Sequence, residues 1–235
     1  DACLSRFSSS TRDGAMSLCF VQSACGIRAP CVTVCQTAAL PISRSTRRAR
    51  APVSLDMLEP LEAYYRLLTQ WNAKINLTAL PLDAPTDETF DRLFVEPLGA
   101  AKQIPPQTPS VWFDLGSGGG SPAIPIKIAR PALRLTMIES KERKGAFLRE
   151  AIRALGLINT SVETERFEVV AAKSEFSGVA DIVTVRAVNT VVELFKKAGL
   201  WLKDGVRLLL FLPSNFAPKD PGGFVPILTS PPSAP

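Results

Sequence analysis

The chain has 235 residues, 46% of them hydrophobic, and a formal net charge of +5, which is room for one full α/β domain with short extensions. It contains no histidine, and its five cysteines (Cys3, Cys19, Cys25, Cys31, Cys35) all lie in the first 35 residues. These facts exclude His-dependent triads, a disulfide-stapled core and, in the rest of the chain, a cysteine nucleophile.

The charge is unevenly placed. Residues 1–53 hold seven Arg, no Lys and two Asp, whereas residues 54–235 hold twenty basic and twenty acidic side chains. The excess belongs to the first segment, so RNA binding by the remainder needs a local patch. Rich in Ser, Ala and Arg, residues 1–53 read as a disordered leader. It is either an organellar transit peptide or non-native sequence upstream of a start at Met16 or Met57. The first reading puts the protein in a plastid or mitochondrion, the second in a bacterial cytoplasm. Cys31 and Cys35 have no second pair or histidine with which to close a zinc site, so no metal is expected. No run of 18 apolar residues occurs, and neither a transmembrane helix nor a membrane partner is expected.

Leu58, Leu61, Tyr65 and Leu68 recur at intervals of three and four, which predicts an amphipathic helix over 56–72. Pro81 and Pro85 break the chain. Thr86 then reads as an N-cap with Asp87 and Glu88 in the first turn, and the helix it opens runs to about Lys102. Residues 54–104 thus form a helical cap, and the proline cluster at 105–109 links it to the main domain, 105–212. There, strand-like runs at 110–115, 134–139, 160–164, 181–186 and 206–212 alternate with helical runs, the clearest at 141–155. Such alternation implies an α/β, Rossmann-like fold with a mostly parallel, doubly wound sheet. The tail, 213–235, is irregular and proline-rich.

The run Asp114-Leu115-Gly116-Ser117-Gly118-Gly119-Gly120 follows a buried strand and precedes a helical run. Its glycines let the backbone turn sharply and meet a ligand closely, at the carboxyl edge where doubly wound sheets bind nucleotides. A dinucleotide loop wants G-x-G-x-x-G, but Ser121 stands at the third position. Asp114, two before the first glycine, fits the acid-x-G-x-G-x-G form of methyltransferases. Glu139 ends the second strand, 25 residues on, where an acid can accept both ribose hydroxyls. The expected cofactor is S-adenosyl-L-methionine.

Four motifs in order carry a resemblance to the bacterial ribosomal small-subunit methyltransferase G family, also called glucose-inhibited division protein B. They are Trp71-Asn72-Ala73-Lys74-Ile75-Asn76-Leu77-Thr78 (family W-N-x-x-x-N-L-T), the glycine run through Pro125, Lys144-Gly145-Ala146-Phe147-Leu148-Arg149, and Val185-Arg186-Ala187. The similarity spans roughly residues 57–212. It implies methylation at N7 of a guanosine in 16S-type ribosomal RNA, with the 30S particle as partner and a monomeric enzyme. It further implies cofactor contacts at Gly116, Ser121, Phe167, Glu168 and Arg186, to which the loop reading adds Asp114, Ser117, Gly118, Gly120 and Glu139. The match at Phe167 and Glu168 takes a one-residue shift. Two departures stand out. Where the family reads R-H-x-x-D-S, this chain has Arg92-Leu93-Phe94-Val95-Glu96-Pro97, and past the last strand it is short and proline-rich where the family forms a hairpin.

The chemistry suits the composition. Guanine N7 carries a lone pair and no proton, so its methylation needs no general base, and alignment supplies most of the acceleration. Arg186, at a strand end, is expected to position substrate or cofactor. On the helix after Glu139, Lys141, Arg143, Lys144, Arg149 and Arg153 outnumber Glu142 and Glu150 and point away from the Phe147 edge, a face that can meet phosphates or simply be solvated. Asn72 and Lys74 read as RNA-side residues, Asn76 and Thr78 as caps of local backbone, and Trp71 as core. Besides the ribosomal reading, a small-molecule methyltransferase and an inactive cofactor-binding homologue remain compatible with these motifs.

Overall fold

The structure is a computed structural model that describes residues 39–48, 53–104, 110–176, 178–186 and 202–211. The leader up to residue 38, the linker 105–109, Ala187, Leu212 and the proline-rich tail lie outside the described residues.

Strands β1 (Val111–Leu115), β2 (Arg134–Ile138), β3 (Thr160–Glu163), β4 (Ala180–Arg186) and β5 (Leu202–Phe211) form one sheet in the order β3-β2-β1-β4-β5. Every pairing is parallel. Strand order reverses between β1 and β4, which makes the carboxyl end of β1 the switch point of the sheet. All strand expectations fall within a residue or so of the observed spans except β5. That strand begins at Leu202, four residues early, because Lys203-Asp204-Gly205 hides its start from any apolar pattern.

Side chains alternate across the strands, and the two faces differ. Trp112, Leu135, Met137 and Ile182 enter the larger core. Phe113, Leu115, Ile138, Val183 and Val185 enter a smaller one with Val170. The same period puts Asp114, Thr184 and Arg186 on the Trp112 face, and this decides what those polar groups meet.

That face is covered by the cap and by two helices of the main domain. Helix α1 spans Ala39–Arg48 and α2 Leu55–Asn72. Helix α3 (Asp87–Phe90) widens into a π-helical stretch, Asp91–Val95, and continues as α4 (Glu96–Ala101). After β1 comes α5 (Ala123–Ala129), after β2 α6 (Glu142–Leu155), and after β3 the short α7 (Phe167–Ala171). In α2 the buried stripe Leu61, Tyr64, Tyr65, Leu68 follows the i, i+3, i+4, i+7 rule; each such side chain, fully buried, is worth about 1.5–3 kcal/mol. Thr86 caps α3 as expected, in a reciprocal arrangement with Thr89.

One expectation is corrected. Residues 39–48 belong to no disordered leader: they form α1, and Ile42 is fully buried in the larger core. Ile42, Ser45 and Thr46 make one buried stripe, with the Thr46 hydroxyl turned back on the Ile42 carbonyl at 2.9 Å. A stripe of one apolar and two small hydroxyl residues is invisible to a hydrophobic period, and arginines surround it.

Lys127 of α5 is 1% exposed. Its amine donates to the carbonyls of Pro131 (2.8 Å) and Leu133, closing the turn that leads into β2. Burial pushes its pKa down to about 8, from 10.5. Between those values the unfolded chain holds a proton that the native state lacks, so stability rises with pH across that window and the cost of the buried charge is complete below pH 8. Urea melts at pH 7.5 and pH 9.5 should show this gain in the parent chain and not in Lys127→Met.

Candidate functional site

The glycine run turns over the carboxyl end of β1. The amides of Gly116 and Ser117 both donate to the Ile138 carbonyl, at 2.8 and 3.1 Å, and that of Gly120 to the Ser117 carbonyl at 2.7 Å. The φ angles of Gly116, Gly118 and Gly120 are 72°, 51° and 84°, a region costly for any residue with a Cβ. At Gly120 space forbids one as well, since a Cβ would stand 2.4 Å from Ile124 Cδ1.

Two acids flank the run in different ways. Glu139, buried just past β2, accepts from the Gly118 amide through Oε2 and from the Lys141 amide through Oε1, both at 2.9 Å. Its carboxylate is thereby fixed in place, and each oxygen still has a lone pair for a further donor. Asp114 is 1% exposed. Its Oδ1 accepts from the Thr184 hydroxyl, which in turn accepts from Trp112 Nε1 at 2.9 Å. Asp114 Oδ2 is buried without a hydrogen-bond partner. Burial pushes the pKa of this carboxyl up from its ordinary value, outweighing the hydroxyls of Ser117 and Thr184 and the charge of Arg186.

The cap presses on the same loop. Tyr64 donates its phenol to the Gly119 carbonyl at 2.7 Å. A Cβ on Gly119 would lie 3.1 Å from Leu68 Cδ1 and 3.5 Å from Leu77 Cβ, so the cap leaves little room for a side chain here. Leu77 is held there by Asn72, whose side-chain oxygen accepts from the amides of Leu77 and Thr78 at 2.9 and 3.0 Å. Trp71 packs edge-on against Phe147 of α6, centroids 5.8 Å apart. The W-N-x-x-x-N-L-T element therefore acts as a brace for the glycine loop.

Arg186 ends β4 and turns into the cap as well. Its Nη1 donates to the Arg92 carbonyl at 2.9 Å, Nη2 lies 3.2 Å from Glu96 Oε2, and the guanidinium sits 4.7 Å above the Phe211 ring. The Arg92 carbonyl is available for a local reason. The Glu96 amide reaches back five residues to Asp91, and Pro97, the next residue, has no amide to give. The π-helical stretch thus exposes one carbonyl to the sheet edge, and the Ser121 hydroxyl points at it too, 3.4 Å from the oxygens of Arg92 and Leu93. Burial pushes the Glu96 carboxyl up against the pull of Arg186.

Set beside known proteins, residues 57–212 match the profile of the family described as rRNA small subunit methyltransferase G. The chain is 34% identical to the ribosomal RNA small subunit methyltransferase G of Stenotrophomonas maltophilia, strain K279a, over 72% of its own length and 76% of that protein. To the protein of the same name from Xanthomonas axonopodis pv. citri it is 35% identical, with the same coverage. The chain belongs to the rRNA small subunit methyltransferase G family. Similar solved folds include a coclaurine N-methyltransferase bound to N-methylheliamine and SAH, at TM-score 0.45 and 18% identity over 73% of this chain and 56% of that one. Another is P. horikoshii TYW2 in complex with MeSAdo, at TM-score 0.41 and 22% identity over 48% and 40%.

Membership makes the chain an S-adenosylmethionine-dependent methyltransferase of small-subunit ribosomal RNA. The residues present fit that cofactor. The loop offers bare backbone, Asp114 an unpartnered buried oxygen that suits a cationic ammonium group, and Glu139 a fixed carboxylate that suits a diol. Phe167, half-buried, and Glu168, exposed, open α7 beyond the carboxyl end of β3. Among the described residues no helix is long and apolar enough to cross a membrane.

Of the residues read from sequence as RNA-facing, Lys74 and Arg143 are exposed and Lys144 is half-exposed. Asn72 is half-buried, and its side-chain oxygen serves the backbone of the brace. Arg149 pairs with Glu142 at 3.4 Å and donates to the Thr164 hydroxyl. Arg153 forms a two-pronged bond to Glu150, at 2.9 and 2.6 Å. Both arginines are thus partly neutralised on their own helix. Sequence reasoning missed Tyr64, Leu77 and Pro97. A tyrosine within a leucine stripe and a proline inside a helical run were the available signals.

The buried charge at Asp114 has a measurable cost. Its folded pKa lies above the unfolded value of 3.8, so the penalty is absent below pH 3.8 and grows as pH rises through the folded value. Asp114→Asn keeps an acceptor for Thr184 and removes the charge. The cofactor-free variant should melt above the parent at pH 7.5, by roughly 2–4 °C per kcal/mol relieved, and the gap should close as pH falls toward 4.

Proposed function

We propose that the enzyme methylates N7 of one guanosine in 16S-type ribosomal RNA, presented on the 30S particle. What carries this reading is the match between chemistry and residue set. N7 is a lone pair without a proton, and from residue 54 onward the chain has neither His nor Cys to act as base or nucleophile. Bound S-adenosylmethionine supplies an electrophilic methyl group, and this chain's residues then need only hold and align the two partners.

In this reading the backbone of Gly116, Ser117, Gly118 and Gly120 receives the methionine end of the cofactor, with Asp114 beneath it. Glu139 takes the ribose hydroxyls, and Phe167 and Glu168 border the base. Arg186 and Ser121 act differently from their expected direct contact: both tie the π-helical stretch of the cap to the edge of the site. Arg186 thereby shapes the wall that a target base would meet.

RNA approaches over the rim where the brace and α6 meet. The brace touches the glycine run, so α2 runs toward the carboxyl edge, and α6 starts from that edge. The basic side chains offered for this are exposed Lys74, just past Trp71 of the brace, and exposed Lys141 and Arg143 with half-exposed Lys144 at the start of α6. Arg149 and Arg153, farther along α6 and already paired, contribute less. The enzyme works as a monomer, in the compartment that holds its ribosomes.

Methyl transfer from labelled cofactor to 30S particles, followed by mapping, should yield a single 7-methylguanosine. Label on free small molecules but not on RNA, or on another atom of the base, would refute the assignment. The rim has its own test. Combined Lys74→Ala, Arg143→Ala and Lys144→Ala should raise KM for 30S and flatten its salt dependence, by about 0.7–0.9 in log–log slope for each phosphate the variant no longer neutralises. Cofactor affinity should stay unchanged. Arg153→Ala should do little.

A further inference from the structure

The cofactor loop contains a stretch of intrinsically pliable backbone. Gly118, Gly119 and Gly120 are consecutive, and glycine has the widest conformational freedom of any residue. A run of this kind can meet a ligand closely but has no shape of its own. Hydrogen bonds from within the main domain restrain its amides and its last carbonyl: Ile124 N–H to Gly120 O at 2.7 Å, Gly118 N–H to Glu139 Oε2 at 2.9 Å and, last, Gly120 N–H to Ser117 O at 2.7 Å. The last of these fixes one end of the Gly119–Gly120 peptide. The other end, the Gly119 carbonyl, is held from outside the domain by Tyr64 Oη at 2.7 Å.

Tyr64 is built to do this and little else. It lies on the buried stripe of α2 and is fully buried, its ring edge-on to Phe94 with centroids 6.2 Å apart and planes at 86°. The ring is therefore locked by packing, and its hydroxyl is delivered to one carbonyl. Burial pushes its pKa up, so the group stays a donor throughout the working pH range. Leu68 and Leu77 close on Gly119 from the same side. The neighbouring Tyr65 offers an internal comparison. Its hydroxyl makes an equally short bond, 2.6 Å, to the Leu82 carbonyl, but that bond joins two parts of the cap.

We propose that Tyr64 is a positioning residue for methyl transfer: from the cap, its phenol holds the Gly119 carbonyl and keeps the glycine run in the shape that receives S-adenosylmethionine. The proposal rests on the reading of the glycine run as the cofactor loop. Without the phenol the Gly119–Gly120 peptide is held only through its Gly120 N–H end, a smaller fraction of molecules keeps the receiving shape, and apparent affinity falls by that fraction.

Calorimetric titration of the full chain with S-adenosylmethionine tests it. Tyr64→Phe keeps the ring and its packing and should weaken cofactor binding about tenfold, the scale of one buried hydrogen bond. KM for the cofactor should rise in step, while kcat at saturating cofactor and KM for 30S stay near the parent values. Tyr65→Phe should lower the melting temperature comparably and leave cofactor affinity intact. Replacing Tyr64 by 4-aminophenylalanine restores a donor and should recover affinity, whereas 4-fluorophenylalanine, of similar size and without a donor, should not. Equal affinity in Tyr64→Phe and the parent would overturn the proposal, as would equal weakening by the Tyr65 control or recovery with the fluorinated residue. A parent chain that fails to bind would remove the loop reading itself, and Tyr64's role with it.

Discussion

The structure turns on one constraint: five residues of backbone, Gly116 to Gly120, must be bare enough to touch a ligand and rigid enough to keep one shape. Side chains cannot provide that rigidity, since a Cβ at Gly120 collides with Ile124 and one at Gly119 crowds Leu68 and Leu77. It comes instead from hydrogen bonds to the run's own amides and carbonyls. They reach it from three places, the end of β2 (Ile138 and Glu139), the run itself (Ser117), and the cap (Tyr64). The sheet's switch point provides the opening, and the surrounding elements convert it into a defined surface.

The polar groups on the Trp112 face follow from strand alternation. Period two sends Asp114, Thr184 and Arg186 to the side where the cap lies, so each must find a partner within a largely apolar layer. Thr184 finds two. Arg186 finds a carboxylate, an aromatic face and one carbonyl. That carbonyl exists because Pro97 cannot donate and the Glu96 amide is taken by Asp91. The π-helical register and the proline together leave the docking point for the arginine. Asp114 keeps one oxygen unmatched, and such an unpaired buried acceptor is costly in a folded protein unless a ligand uses it.

Much of this was legible in sequence. The spans of α2, α6 and β1 through β4 follow from apolar periods of 3.6 and 2, and the order of strands and helices implied the parallel sheet. The glycine run and its two acids were readable because their spacing is local. What escaped had no local signal. The buried stripe of α1 is mostly Ser and Thr. The start of β5 is polar. Asn72 looked available to RNA because its five- and six-residue reach to Leu77 and Thr78 depends on how the chain folds back after α2. The separation of Tyr64 from Gly119 by 55 residues and of Arg186 from Arg92 by 94 is tertiary information, which no window of sequence contains.

These long-range bonds change what the cap is for. From sequence it was only a helical extension ahead of the main domain. Tyr64, Leu68, Leu77 and the carbonyl of Arg92 make it a wall and a brace of the glycine run and the sheet edge, and in the proposed reading exposed Lys74 on the same cap faces the RNA. In that reading one small body touches both substrates. Thermodynamic reciprocity follows: if docking of the ribosomal particle shifts the cap against the loop by any amount, cofactor affinity changes, and bound cofactor changes affinity for the particle by the same factor. The W-N-x-x-x-N-L-T element is the physical link in that coupling, because Asn72 and Leu77 fix the brace on the glycines and Lys74 stands between them in sequence. This gives a structural reason for the two motifs to occur together in one chain, although they lie far apart along it.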